Sequence, residues 1–149
     1  GYYLITYLQR RKLEEAGNEV VTEPLRPAEE VALEKLDAIK EKKIWQQGQV
    51  KEYYTQLTDV VREYIVHRFE VSSVEQTSDE TLRDIRPLLS ERKDLYDKLR
   101  KMLTLADLVK FAKWSTTPDE NELSLRNAYT FVKETTIKSL EDGAEAPTV

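Results

Sequence analysis

Residues 48–69 read GQVKEYYTQLTDVVREYIVHRF, and within them Val50, Tyr53, Tyr54, Leu57, Val60, Val61, Tyr64, Ile65 and Phe69 recur at steps of three and four. That is the period of one face of an α-helix. The spacing predicts a helix from about Gln49 to Phe69, with the tyrosines on or beside its buried stripe. Immediately upstream, Pro27 suits a first helical turn, and Glu29 and Glu30 sit where the positive end of a helix dipole favours carboxylates. Val31/Ala32, Leu36 and Ile39 continue this first pattern towards Trp45, with Gly48 as the stop. A connection this short makes the two helices an antiparallel hairpin.

Downstream, Val71–Val74 reads as a short extended crossing. Thr77-Ser-Asp-Glu80 has the spacing of a capping box and opens a third helix, with Leu82 and Ile85 inward and Pro87 limiting its length. A fourth helix is expected over about Glu91 to Trp114, with Leu95, Leu99, Met102/Leu103, Ala106 and Val109 on one side and a kink near Leu105. Thr117-Pro118-Asp119-Glu120 combines an N-cap, a first-turn proline and a capping-box glutamate. The buried stripe of the fifth helix is then Leu123 or Leu125, Ala128, Phe131/Val132 and Thr135. The expected fold is therefore all-α, a compact bundle of about five helices beginning with an antiparallel hairpin.

Composition points the same way. The chain has 149 residues with 4 Gly and 5 Pro, too few turn formers for a sandwich or barrel, which needs a turn signal about every 8–12 residues. Its formal net charge of -5 works against nucleic acid as a partner, since a duplex-binding surface would have to oppose the overall field. No cysteine is present, which excludes disulfides and thiolate metal sites and suits a reducing compartment.

Four segments follow from the pattern. Residues 1–12 place Tyr2, Tyr3 and Tyr7 in an aromatic–aliphatic run ahead of Arg10, Arg11 and Lys12. Interfacial tyrosines followed by a basic flank resemble the inner end of a transmembrane helix. An ordinary amphipathic N-terminal helix is the alternative reading. Residues 13–26 read as a juxtamembrane linker, interrupted by Gly17-Asn18 and Pro24. Residues 27–140 read as the helical cytoplasmic domain, and 141–149 as a disordered acidic tail without core residues.

The chain offers little for catalysis. His67 is the single histidine, so multi-histidine metal sites and histidine-based triads cannot be assembled from this chain alone. Its place near the end of the second helix is explained by the helix C-terminus. The glycines, at positions 1, 17, 48 and 143, are too scattered for a phosphate-binding loop. No catalytic, cofactor-binding or metal-binding residue is expected. The candidate protein-interaction residues are Asp107, Lys110, Lys113 and Trp114; the alternative is an ordinary charged outer helix face. For the tyrosines and for Trp45 and Trp114, core packing and interface anchoring both remain open.

Taken in order, Arg26-Pro-Ala-Glu-Glu-Val-Ala-Leu-Glu-Lys-Leu36, Trp45-Gln-Gln-Gly-Gln-Val-Lys-Glu-Tyr-Tyr-Thr-Gln-Leu57, Val61-Arg-Glu-Tyr-Ile-Val-His-Arg-Phe69, Thr77-Ser-Asp-Glu-Thr-Leu82 and Ala106-Asp-Leu-Val-Lys-Phe-Ala-Lys-Trp114 resemble the cytoplasmic C-terminal region of BatD-like membrane proteins of the Bacteroides aerotolerance (Bat) family. The resemblance covers about Arg26 to Thr136. It implies a Bacteroidetes inner-membrane protein with this domain on the cytoplasmic face, behind a transmembrane helix. The implied partners are a MoxR-type AAA+ ATPase and von Willebrand A-domain proteins, with no active site. A small-molecule-binding or enzymatic helical domain, and a self-association module, are the alternatives.

Overall fold

The computed structural model describes residues 26–145. The expected membrane-proximal stretch 1–12, and all of the linker except Arg26, lie outside the described residues. The first helix, α1, is Ala28–Lys42, with Glu29 and Glu30 in its first turn and Lys40 and Lys42 in its last. Both placements complement the helix dipole. α1 stops at Lys43, whose φ of 47° is left-handed, rather than running on to Trp45. The Gln47 side chain explains the early stop, because its Nε2 donates to Lys42 O at 2.8 Å and Lys43 O at 3.0 Å and so satisfies carbonyls that another turn would have used. A single 3-10 turn, Trp45–Gln47, and Gly48 at φ 83° complete the corner. That backbone angle is one that glycine adopts without steric cost.

Helix α2, Val50–Phe69, is the long helix predicted from the opening stretch. The following segment is a 3-10 turn, Ser73–Glu75, rather than an extended crossing. Helix α3 is Ser78–Ile85, capped by Thr77, and passes directly into a 3-10 turn at Arg86–Leu89 that carries Pro87. Helix α4 is Lys93–Phe111, shorter than expected at both ends and unbroken at Leu105. Helix α5, Pro118–Glu134, and helix α6, Ile137–Glu145, complete the described chain. α6 was not legible in the sequence. It carries helical backbone past residue 140 into the stretch read as a tail.

Side-chain links between helices fix their directions. Lys35 on α1 pairs with Glu63 on α2 at 3.0 Å, and the short corner makes those helices antiparallel. Lys110 on α4 donates to Thr58 on α2, Arg92 at the start of α4 pairs with Glu134 at the end of α5, and Tyr129 on α5 donates to Asp37 on α1. α1, α2, α4 and α5 therefore form an up-down-up-down four-helix arrangement in which α1 packs on α2 and α5, and α4 packs on α2 and α5. α3 with its flanking 3-10 turns is the insert that lets the chain cross from α2 to α4. The fold is all-α and compact, as expected.

The core draws on every long helix: Leu36, Leu57, Ile65, Leu99, Leu103 and Phe131 are completely buried. Tyr53, Tyr54 and Tyr64 are core residues too, at no more than 2% exposure. Their hydroxyls bolt α2 to α5. Tyr53 donates to Asn121 O at 2.7 Å, Tyr54 to Asn121 Oδ1 at 2.8 Å, and Tyr64 to Val132 O at 3.2 Å, with Thr135 Oγ1 a further partner of Tyr64 at 2.8 Å. Burial pushes the Tyr64 phenol up to about 12 and raises those of Tyr53 and Tyr54 as well, so all three are neutral donors at ordinary pH.

These bonds correct the stripe expected for α5. Asn121, Ser124 and Asn127 are buried, whereas Leu123 is 44% exposed and Leu125 half-buried. A polar side chain can face the core when buried hydroxyls opposite it satisfy its donors and acceptors. Tyr54 does this for Asn121 and for Ser124, whose Oγ lies 3.2 Å from the phenol.

Both expected capping boxes are formed. Thr77 Oγ1 accepts from Glu80 N at 3.2 Å and Thr117 Oγ1 from Glu120 N at 3.1 Å, and each glutamate returns a bond to its threonine N–H at 2.9 Å. Replacing either threonine by alanine removes a partner for an unpaired N–H at a helix start. Thr77→Ala and Thr117→Ala are each expected to lower unfolding free energy by about 1 kcal/mol in urea titrations.

Candidate protein-interaction face

Helix α4 carries two of the four candidate interaction residues, Asp107 and Lys110, and its own periodicity decides which way they face. Lys110 follows Ala106 by four residues and Leu103 by seven, so helical spacing sets it on the flank of the buried stripe. It is half-buried there, donating to Thr58 Oγ1 at 3.2 Å. Burial lowers its ammonium pKa, as does the nearby Arg62 charge, while Asp107 and Asp59 act in the opposite sense. Asp107 is also half-buried. Both residues thus belong to the seam between α2 and α4.

Lys113 and Trp114 lie beyond the helix and are exposed. The chain turns at Lys113, whose φ of 53° is left-handed, and Trp114 N–H donates back to Leu108 O at 3.1 Å, a carbonyl that also accepts from Ala112 N–H at 3.0 Å. This wrap holds the Trp114 backbone against the last turn of α4. The indole residue is 53% exposed, Phe111 is 79% exposed and Leu108 is 37% exposed. Lys110 Nζ lies 5.6 Å from the Phe111 ring centroid. The outward face at this end of the bundle is therefore aromatic and aliphatic with basic neighbours.

Leu108 and Phe111 were missed in the sequence reading, although the signal was present. On a helix whose stripe runs through Leu99, Leu103 and Ala106, they fall on the opposite side. Large apolar residues turned away from a core are informative where they cluster. Trp45, by contrast, is half-buried, in a cleft of about 350 Å³ that it shares with Tyr53, Leu125 and Tyr129. His67 is exposed in the last turn of α2.

Among the described residues, no three His, Cys, Asp or Glu side chains come together as ligands for a metal ion, and no helix is long and apolar enough to cross a membrane. The class that fold and surface define is an all-α bundle with an exposed aromatic end. No protein-family model, curated protein or solved structure matches this chain.

Proposed function

We propose that the chain is a membrane-tethered protein-interaction domain of a BatD-like protein, lying on the cytoplasmic face of the inner membrane. In this reading it is an adaptor for a MoxR-type AAA+ ATPase and von Willebrand A-domain proteins, without catalysis of its own. The observation that carries the binding role is the exposed Phe111 and Trp114 pair beside Leu108. Aromatic residues are the commonest anchors of protein interfaces, and leaving three large apolar side chains in water at one helix end gains nothing for the fold itself. The serial resemblance of the quoted segments supplies the identity of the partners, and the tyrosine–arginine pattern of residues 2–12 supports the tether.

The test is a calorimetric titration of the chain against the MoxR-type ATPase and the von Willebrand A-domain protein encoded beside it. Binding to at least one is expected. The double substitution Phe111→Ala, Trp114→Ala should weaken it at least about tenfold, as loss of an interface hot spot does. Absence of binding by the unaltered chain refutes the adaptor role. A mass that rises with protein concentration and falls in the double variant assigns the same face to self-association instead.

A further inference from the structure

At the other end of α4, the corner where α3 turns into that helix encloses an open groove of about 720 Å³. Its apolar surface comes from Pro87, Leu89 and Tyr96, and its charge from Arg83, Arg86 and Lys93. The volume lies within the range of about 300–1,000 Å³ in which ligands are bound. One carboxylate, Asp97, also borders it, but that group is engaged by Arg100 and Lys101 of its own helix at 2.5 and 3.2 Å. Among the described residues, Arg86 and Lys93 have no carboxylate within ion-pair distance, and Arg83 has only Asp84 at 3.7 Å. The Arg86 guanidinium lies 5.8 Å from the Tyr96 ring centroid, a cation–π contact that steadies it over the groove.

Three cations converge here on a chain that has 28 acidic against 23 basic residues. We infer that this groove binds an acidic, leucine-bearing peptide segment of a partner protein, its carboxylates on Arg83, Arg86 and Lys93 and an aliphatic side chain on Pro87 and Tyr96. Guanidinium forks match carboxylates in pairs of hydrogen bonds, and arginine clusters are a recurrent means of reading acidic motifs. The apolar surface gives the segment a second point of attachment that a polyphosphate backbone lacks, and the net charge of -5 disfavours a long polyanion. Lys93 and Phe111 are the two ends of one helix, so the groove lies about 27 Å along α4 from the aromatic face and stands independently of the adaptor reading.

Fluorescence anisotropy of the full chain with a labelled peptide of alternating glutamate and leucine tests the inference. Binding should weaken at least about tenfold in the charge-reversed Arg86→Glu, Lys93→Glu variant, and to a similar extent when the peptide glutamates are replaced by glutamine. Phe111→Ala, Trp114→Ala should leave it unchanged, which separates this site from the proposed adaptor face. Both substitution sites are exposed, and an unaltered circular-dichroism melt confirms the fold. The inference is overturned if the unaltered chain does not bind the peptide, if charge reversal leaves affinity intact, or if the aromatic double variant loses it. It is equally overturned if a short RNA or phosphatidylglycerol vesicles bind at the groove in preference to the peptide.

Discussion

Arg62→Ala is expected to lower unfolding free energy by about 3 kcal/mol, although its side chain enters no ion pair among the described residues. Arg62 projects from the middle of α2 into the corner that leads to α3. Its Nη1 donates to Ser73 O at 2.9 Å, Gln76 O at 3.1 Å and Thr81 Oγ1 at 3.2 Å, and its Nη2 to Ser78 Oγ at 2.8 Å. One guanidinium thus gathers the 3-10 turn, the approach to α3 and its first turn. Burial lowers its pKa, with Asp107 and Asp59 partly compensating. Truncation takes the guanidinium donor from the Gln76 carbonyl and leaves the Ser73 carbonyl with only the Gln76 N–H at 3.1 Å, in a partly dry site, which costs more than the average hydrogen bond. Lysine cannot restore the fork, since its donors radiate from one point. Arg62→Lys should recover less than half of the loss. Urea midpoints measure the size, and hydrogen exchange should show α3 amides opening first; uniform exchange across all helices would refute the local role.

Phe131→Ala is expected to cost about 3–5 kcal/mol. The ring is fully buried between the last turns of α5 and α2, edge-on to Tyr64 with centroids 6.0 Å apart and tilted against Phe69 at 6.4 Å. Deleting it opens a cavity that the tyrosine cannot fill without giving up its bonds to Val132 and Thr135. For a domain of ordinary stability, about 5–15 kcal/mol, this removes a large share of the margin. Phe131→Leu keeps much of the volume and should cost less than half as much. Thermal and urea unfolding measure both variants, and a loss below about 1 kcal/mol for alanine would mean that this junction is loosely packed.

The two residues differ in how openly the sequence declared them. Phe131 falls on an apolar stripe of period 3.6 and was expected inside. Arg62 sits beside that stripe on α2 as an unremarkable charge, and nothing local distinguishes it from Arg68 or Arg83. Its role depends on where Ser73, Gln76 and Ser78 are carried by the turn that follows. The candidate interaction face shows the same division. Trp114 was legible as a helix-end aromatic with its exposure left open, whereas Asp107 and Lys110 belong to the α2–α4 seam, and the cationic groove joins residues of α3, its 3-10 turn and α4.

What the sequence by itself determined was helices α1 to α5 and the inward faces of α1 to α4, because period, caps and breakers act through neighbours three or four residues apart. Gly48, Thr77 and Thr117 mark corners and starts by local hydrogen bonding and backbone freedom alone. Only the tertiary structure decided that Asn121 and Ser124 are buried, that Arg62 secures a corner, and that Leu123 is left exposed. A polar group's position depends on which distant partner can satisfy it, and an apolar group's on which helix arrives to cover it. Both are settled by the packing of α1, α2, α4 and α5 against one another, information that no window along the chain contains.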